Sequence, residues 1–141
     1  MSMIILYILI GVELLFHIGK LEVNEMKPRS GKNKGQRLQK DVVNRLRGHY
    51  GFDLYENSDF EGDIQANPMG NSGIDIKLSP LAQKDIPYDI ECKNTEKLNV
   101  WAAIEQAEAN AKEGRIPLVI FKRNRSKTYA IIELDDLLEV N

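Results

Sequence analysis

Between Gln36 and Arg47 the apolar residues Leu38, Val42 and Leu46 recur at i, i+4 and i+8, with lysines and arginines on the opposite side. That spacing predicts an amphipathic helix, and Gly48 and Gly51 fit its termination. Ahead of it, Pro28 to Gly35 reads as a basic loop or tail. After it, Phe52 to Tyr55 reads as a short strand. Asn57 to Gly73, with Gly62, Pro68 and Gly70 among polar residues, reads mostly as loop, and a loop that long in a small domain is often functional. The period then changes to two. IDIKL, residues 74–78, and YDIECK, residues 88–93, both alternate apolar and polar positions. Alternation of this kind marks a half-buried strand with one apolar and one polar face. Ser79 to Pro87 connects the two, with an extended piece at Ile86.

From Val100 to Glu113 the helical period returns. Val100, Ile104, Ala107 and Ala111 share one stripe, while Ala102, Ala103, Gln106 and Ala109 lie on the other side, where small residues permit close approach to a sheet. Gly114 is a fitting stop. PLVIF, residues 117–121, is a continuous apolar run, as expected of a strand buried on both faces. Lys122 to Lys127 reads as a basic turn and Thr128 to Glu133 as a partner strand. Asp135 to Val140 reads as a short helix with Asp135 and Asp136 in its first turn, where the helix dipole favours acids. This order predicts an α/β protein with a mixed sheet flanked by helices. A helix crossover would set PLVIF parallel to YDIECK, and hairpins would give antiparallel neighbours.

The chain has 141 residues, enough for one domain. Met3 to Ile18 is strongly apolar but short for a membrane span, and it contains Glu13 and His17. It has neither the basic start nor the small-residue cleavage site of a signal peptide. Three readings stand: a short anchor, an element packed on the domain, or an extension upstream of a working protein that starts at Met26. The expected organisation is an apolar extension over 1–25, a basic flexible segment over 26–35 and the folded domain over 36–141.

Composition removes several chemistries. One cysteine excludes an internal disulfide framework and fits a reducing cytoplasm. Two histidines and one cysteine argue against structural zinc and against Cys-His or Ser-His nucleophiles. Any metal would sit on carboxylates and be magnesium-like. Net charge is −2, which on its own does not suggest a polyanion partner, but the charges are segregated. Lys27 to Arg47 holds eight basic residues against the single acid Asp41, and Lys122, Arg123, Arg125 and Lys127 form a second basic run. Segregation of this kind, more than the sum, is what a nucleic-acid surface needs.

The polar faces of the two alternating segments carry candidate chemistry. Asp75 and Lys77 lie opposite Ile74, Ile76 and Leu78, while Glu91 and Lys93 lie opposite Ile90 and Cys92. If the strands pair, Asp75 meets Glu91 and Lys93. Two neighbouring carboxylates repel unless a cation joins them, and magnesium accepts one or two protein carboxylates. Lys93 would orient or help deprotonate an attacking water and offset developing negative charge. Cys92, turned inward by the alternation, reads as a core residue, Trp101 as packing and His49 as a helix-end residue.

Gly73-Ile74-Asp75, then Ile90-Glu91-Cys92-Lys93, then Gln106-Ala107 on the following helix, then RIPLVIFKRNR and YAIIEL, resembles the core of the PD-(D/E)xK nuclease superfamily. RIPLVIFKRNR and YAIIEL resemble the closing strands of Holliday junction resolvase-like and phage-encoded members, and the resemblance covers roughly residues 34 to 138. The resemblance implies a restriction-endonuclease-like fold and a DNA endonuclease dependent on Mg2+, with Mn2+ able to substitute. It implies Asp75 and Glu91 as metal ligands with the backbone carbonyl of Cys92, Lys93 as the catalytic lysine and Gln106 as an organiser of the site. Lys32, Lys34, Arg37, Ser72, Lys122, Arg123 and Arg125 would contact DNA. One departure is Gln39, which stands where resolvases of this superfamily often carry a glutamate on the first helix. Another is Ile74 in place of the usual proline before the first acid. Junction cutting would imply a homodimer with two opposed sites, and the resemblance suggests a phage, prophage or bacterial host setting. The alternatives are a general or restriction-type nuclease and, in another class, a non-catalytic nucleic-acid-binding module.

Overall fold

The computed structural model describes residues 31–51 and 62–140. The apolar segment Met3–Ile18, the start of the basic segment and the strand expected at Phe52–Tyr55 lie outside those residues. Helix α1 covers Gly31–Tyr50, so the run expected to be a loop up to Gly35 is already helical at Gly31. Leu38, Val42 and Val43 are its buried residues, and Arg47 and His49 lie in the last turn, where the dipole favours cations. Gly51 closes it with φ +75 and an N–H donated to the Arg47 carbonyl at 2.9 Å, a left-handed stop that glycine adopts without strain.

Strand β1, Ile64–Ala66, pairs antiparallel with β2, Ile76–Leu78. The sequence reading missed β1, which is only three residues long and shows too little alternation to stand out from its loop. A six-residue helix α2, Pro80–Asp85, occupies the expected connection. Ser79 caps it by accepting the Ala82 N–H at 3.1 Å, with Pro80 at the first helical position, where no N–H is needed. The second sheet is β3 (Tyr88–Asn94), β4 (Ile116–Lys122) and β5 (Tyr129–Ile131), in that order. β3 and β4 run parallel and β5 returns antiparallel. Helix α3, Val100–Asn110, makes the crossover between β3 and β4, and α4, Leu134–Glu139, closes the described chain.

Two apolar clusters sit on opposite faces of the β3–β4 pair. On one face Ile90, Cys92 and Leu118 pack with Leu38, Val42 and Val43 of α1 and with Ile64 and Ile76. On the other, Val119 packs with Ala103 and Ala107 of α3. The small Ala103 and Ala107 let α3 lie close to the sheet, whereas Ala102 and Ala109, expected on the sheet side, are exposed and Ala107 comes from the other stripe. YDIECK is therefore not half-buried. Asp89 and Glu91 are only 3 % and 4 % exposed, because α3 covers the face that alternation marked as polar. PLVIF falls short of burial on both faces, with Leu118 and Val119 buried and its other residues partly covered. Trp101, expected to pack, is 74 % exposed on the outer side of α3.

Buried charge on β3 is matched. Arg115 Nε donates to Asp89 Oδ1 at 3.0 Å, and its two terminal nitrogens donate to the carbonyls of Gln83 and Tyr88. The Lys112 N–H meets Asp89 Oδ2 at 2.9 Å. Among the described residues no helix is long and apolar enough to cross a membrane. The architecture, a two-stranded and a three-stranded sheet with four helices among the described residues, is compatible with the restriction-endonuclease-like fold.

Candidate active site

Asp75 lies one residue before β2, at the end of a loop held by Asn67. Asn67 is 7 % exposed; its side chain donates to the carbonyls of Ile74 at 3.0 Å and Ser72 at 3.4 Å, and its backbone N–H donates to the Asp75 carbonyl at 2.7 Å. Gly73 has φ +97, a conformation that side chains other than glycine's resist. This turn brings the chain to β3 without a full ladder. Asp75 N–H donates to the Ile90 carbonyl at 2.9 Å, and Asp75 Oδ2 accepts the Cys92 N–H at 2.7 Å. β2 and β3 themselves are assigned to separate sheets. The meeting of the two acids, expected from strand pairing, comes instead from two hydrogen bonds at the mouth of β2.

Gln39 on α1 reaches the same carboxylate, its Nε2 donating to Asp75 Oδ1 at 2.9 Å. Glu91 points to the α3 side. Its Oε1 accepts from Lys93 Nζ at 2.9 Å and from Gln106 Nε2 at 2.7 Å. Lys93 Nζ also donates to Gln106 Oε1 at 2.7 Å, so Glu91, Lys93 and Gln106 form a closed triangle. Asn110 Nδ2, one turn beyond Gln106, lies 3.4 Å from Glu91 Oε2 and 3.3 Å from the Gly73 carbonyl. Asn67 and Asn110 were missed in the sequence. The i, i+4 step from Gln106 was the available signal for Asn110, while only the folded loop singles out Asn67.

Burial raises the Asp75 carboxyl above its ordinary range, against the Cys92 N–H, which lowers it; Glu91 adds to the rise, while Lys93 and Gln39 oppose it. Burial also pushes the Cys92 thiol up, so this side chain is a core residue and no nucleophile. Two acids against one lysine leave the cluster one negative charge in excess. Its donors are hard oxygens, the kind magnesium takes. A nearby dication would also relieve the cost of holding Asp75 ionised. These residues fit such an ion. Among the described residues no group of three or more His, Cys, Asp and Glu gathers at one place, so a cation here would rely on two carboxylates with waters and phosphate oxygens.

Two of the predicted DNA contacts, Lys34 and Lys122, lie at the same end of the sheet as Lys93. Asn94 at the end of β3 donates to the Lys34 carbonyl at 3.1 Å and stands in register with Lys122, so the start of α1 and the end of β4 flank Lys93. Lys32, Arg37, Ser72, Arg123 and Arg125 are exposed, and Lys34 and Lys122 are partly so.

An α/β fold with an acid at the mouth of one strand and Glu-x-Lys on the next is the arrangement of the PD-(D/E)xK nucleases. Comparison with protein families agrees: residues 30–140 match the model described as "Phage putative PDDEXK endonuclease". The chain belongs to this family, within the PD-(D/E)xK nuclease superfamily. No curated protein and no solved structure matches it.

Proposed function

We propose that the chain is a divalent-cation-dependent DNA endonuclease that hydrolyses phosphodiester bonds, selective for branched DNA in the manner of Holliday junction resolvases. The observation that carries this reading is the convergence of Asp75, Glu91, Lys93 and Gln106 from a loop, a strand and a helix through bonds of 2.7–2.9 Å. Asp75, Glu91 and the Cys92 carbonyl would hold Mg2+ or, in its place, Mn2+. When bound, such a cation polarises the phosphodiester and acidifies a water.

The protein groups have distinct tasks. Lys93, within 2.9 Å of Glu91, orients the attacking water and offsets charge growing on phosphate oxygens. The water oxygen bonds to phosphorus and releases a proton to solvent, the bond from phosphorus to the leaving oxygen breaks, and that oxygen takes up a proton from solvent water, so one water is consumed for each bond cut. Gln106 positions Lys93 and Glu91 together. Gln39 spends its amide N–H on Asp75, and rotation of that amide would turn its oxygen toward a water at the site. Lys32, Lys34, Arg37, Ser72, Lys122, Arg123 and Arg125 would contact the DNA backbone without reading sequence. Paired cuts across a junction would need a twofold dimer. A neutral Gln39 where a third acid would strengthen metal binding favours one other reading, a DNA-binding module without catalysis.

The test incubates the full chain with a four-way junction, a flap, plain duplex and single-stranded DNA, in Mg2+ and in chelator, beside Asp75→Ala and Lys93→Ala. The expected outcome is Mg2+-dependent cutting, greatest on the junction, that falls by roughly 10²-fold or more in either variant. Binding without cutting in Mg2+ or Mn2+ would leave the non-catalytic module as the account.

A further inference from the structure

A cavity of about 610 Å3 opens beside the carboxylate cluster. It lies between the β1–β2 pair, α2 and the end of α3, with Gly73 and Asn110 in its wall. Those two residues also meet each other, and Asn110 touches Glu91, so cavity and carboxylates share a wall one side chain thick. The site already described accounts for neither the size of this space nor the Gln65, Lys77, Leu78 and Gln83 that line it.

We infer that the cavity is a subsite for one unpaired nucleotide of the DNA strand whose phosphate lies at the Asp75–Glu91 cluster. Its volume is in the range of pockets that enclose a small organic ligand, roughly 300–1,000 Å3. Ile74 and Leu78 give apolar surface for a base face. Gln65 and Gln83 are each anchored through Nε2, to the Gly62 and Leu78 carbonyls, which keeps their amide oxygens as acceptors for the edge of a base. Lys77 and Lys112, both exposed, bring positive charge for the flanking phosphates. Asp89 is the one acid among the described lining residues, and Arg115 and the Lys112 N–H already occupy its carboxylate. A base stacked within a paired duplex cannot enter a concave pocket, whereas an unpaired one enters at lower cost. The inference rests on the nuclease reading and deepens it, because it locates a preference for branched or bulged DNA in one pocket.

The experiment uses the full chain and three duplexes that differ at one position: fully paired, one extra unpaired adenine, and the same bulge with an abasic residue. Binding is measured in chelator and cutting in Mg2+. The adenine bulge is expected to bind about tenfold more tightly than the paired duplex, with the gain lost in the abasic bulge. Gln65→Trp, which fills the pocket, and Lys77→Glu, at an exposed position opposite Gln65 in the β1–β2 register, are expected to remove the preference. Equal binding of adenine and abasic bulges, a preference unmoved in Lys77→Glu, or no binding to any duplex overturns the subsite. Base-dependent binding without cutting by the wild type keeps the subsite and sinks the nuclease reading. Equal cutting of all three duplexes, abolished in Asp75→Ala, does the reverse.

Discussion

Replacing Arg115 with methionine tests how β3 is held in place to present Glu91. The Arg115 and Asp89 side chains are 11 % and 3 % exposed, so solvent screens their pairing little. Arg115→Met removes a charge-assisted bond of 3.0 Å and leaves Asp89 with the Lys112 N–H as its remaining donor. It also strips the Gln83 and Tyr88 carbonyls of their guanidinium donors. Breaking a buried pair from one side costs about 3–5 kcal/mol, a large share of the roughly 5–15 kcal/mol that holds a small domain folded. The double variant Asp89→Leu/Arg115→Met removes the stranded charge but not the stranded carbonyls, at about 1–3 kcal/mol for an unmet buried group. It is therefore expected to fall between the single variant and the wild type. Urea unfolding followed by circular dichroism, fitted for each member of the cycle, reads these differences. A loss below about 1 kcal/mol in Arg115→Met, or no recovery in the double variant, would refute the reasoning.

Two further predictions concern the carboxylate cluster. Because burial raises the Asp75 pKa, the folded protein binds that proton more tightly than the unfolded chain. Ionising Asp75 therefore removes stability as pH rises from the unfolded value through the folded one. Asp75→Asn is expected to raise the melting temperature at neutral pH without metal and to leave it little changed at acid pH, where Asp75 is protonated folded and unfolded alike, as thermal melts across pH would show; a lower melting temperature at neutral pH would contradict it. Gln39→Glu adds an acid at the 2.9 Å contact with Asp75 Oδ1. It is expected to lower stability in chelator and to tighten Mg2+ binding several-fold by calorimetry, and unchanged Mg2+ affinity would count against a cation site at Asp75.

Local patterns were enough to place the helices at Gln36 and Val100 and the strands at 88–93 and 117–121, because each carries an apolar periodicity or, at 117–121, an unbroken apolar run. The acids and the lysine of the cluster were legible too, since an alternating strand fixes which side chains share a face. β1 and α2 were not legible: three and six residues hold too little periodicity, and packing against longer elements sustains them.

The sequence by itself determined the order of the longer elements, the segregation of charge and the spacing from Asp75 to Glu91 and Lys93, since these follow from residue types along the chain. Tertiary structure alone decided that Asp89 and Glu91 are buried, because α3 must fold across the sheet before their face can leave water. It decided that Asp75 comes beside Glu91 through a Gly73 turn, one backbone bond to Ile90 and one from the Cys92 N–H to the Asp75 carboxylate, without a ladder between β2 and β3. It also decided that Trp101 faces out, that Gln39 and Asn110, distant in sequence, reach the two carboxylates, and that Asn67 holds the loop before Asp75. Contacts of this kind depend on where separate elements dock, which local periodicity does not encode.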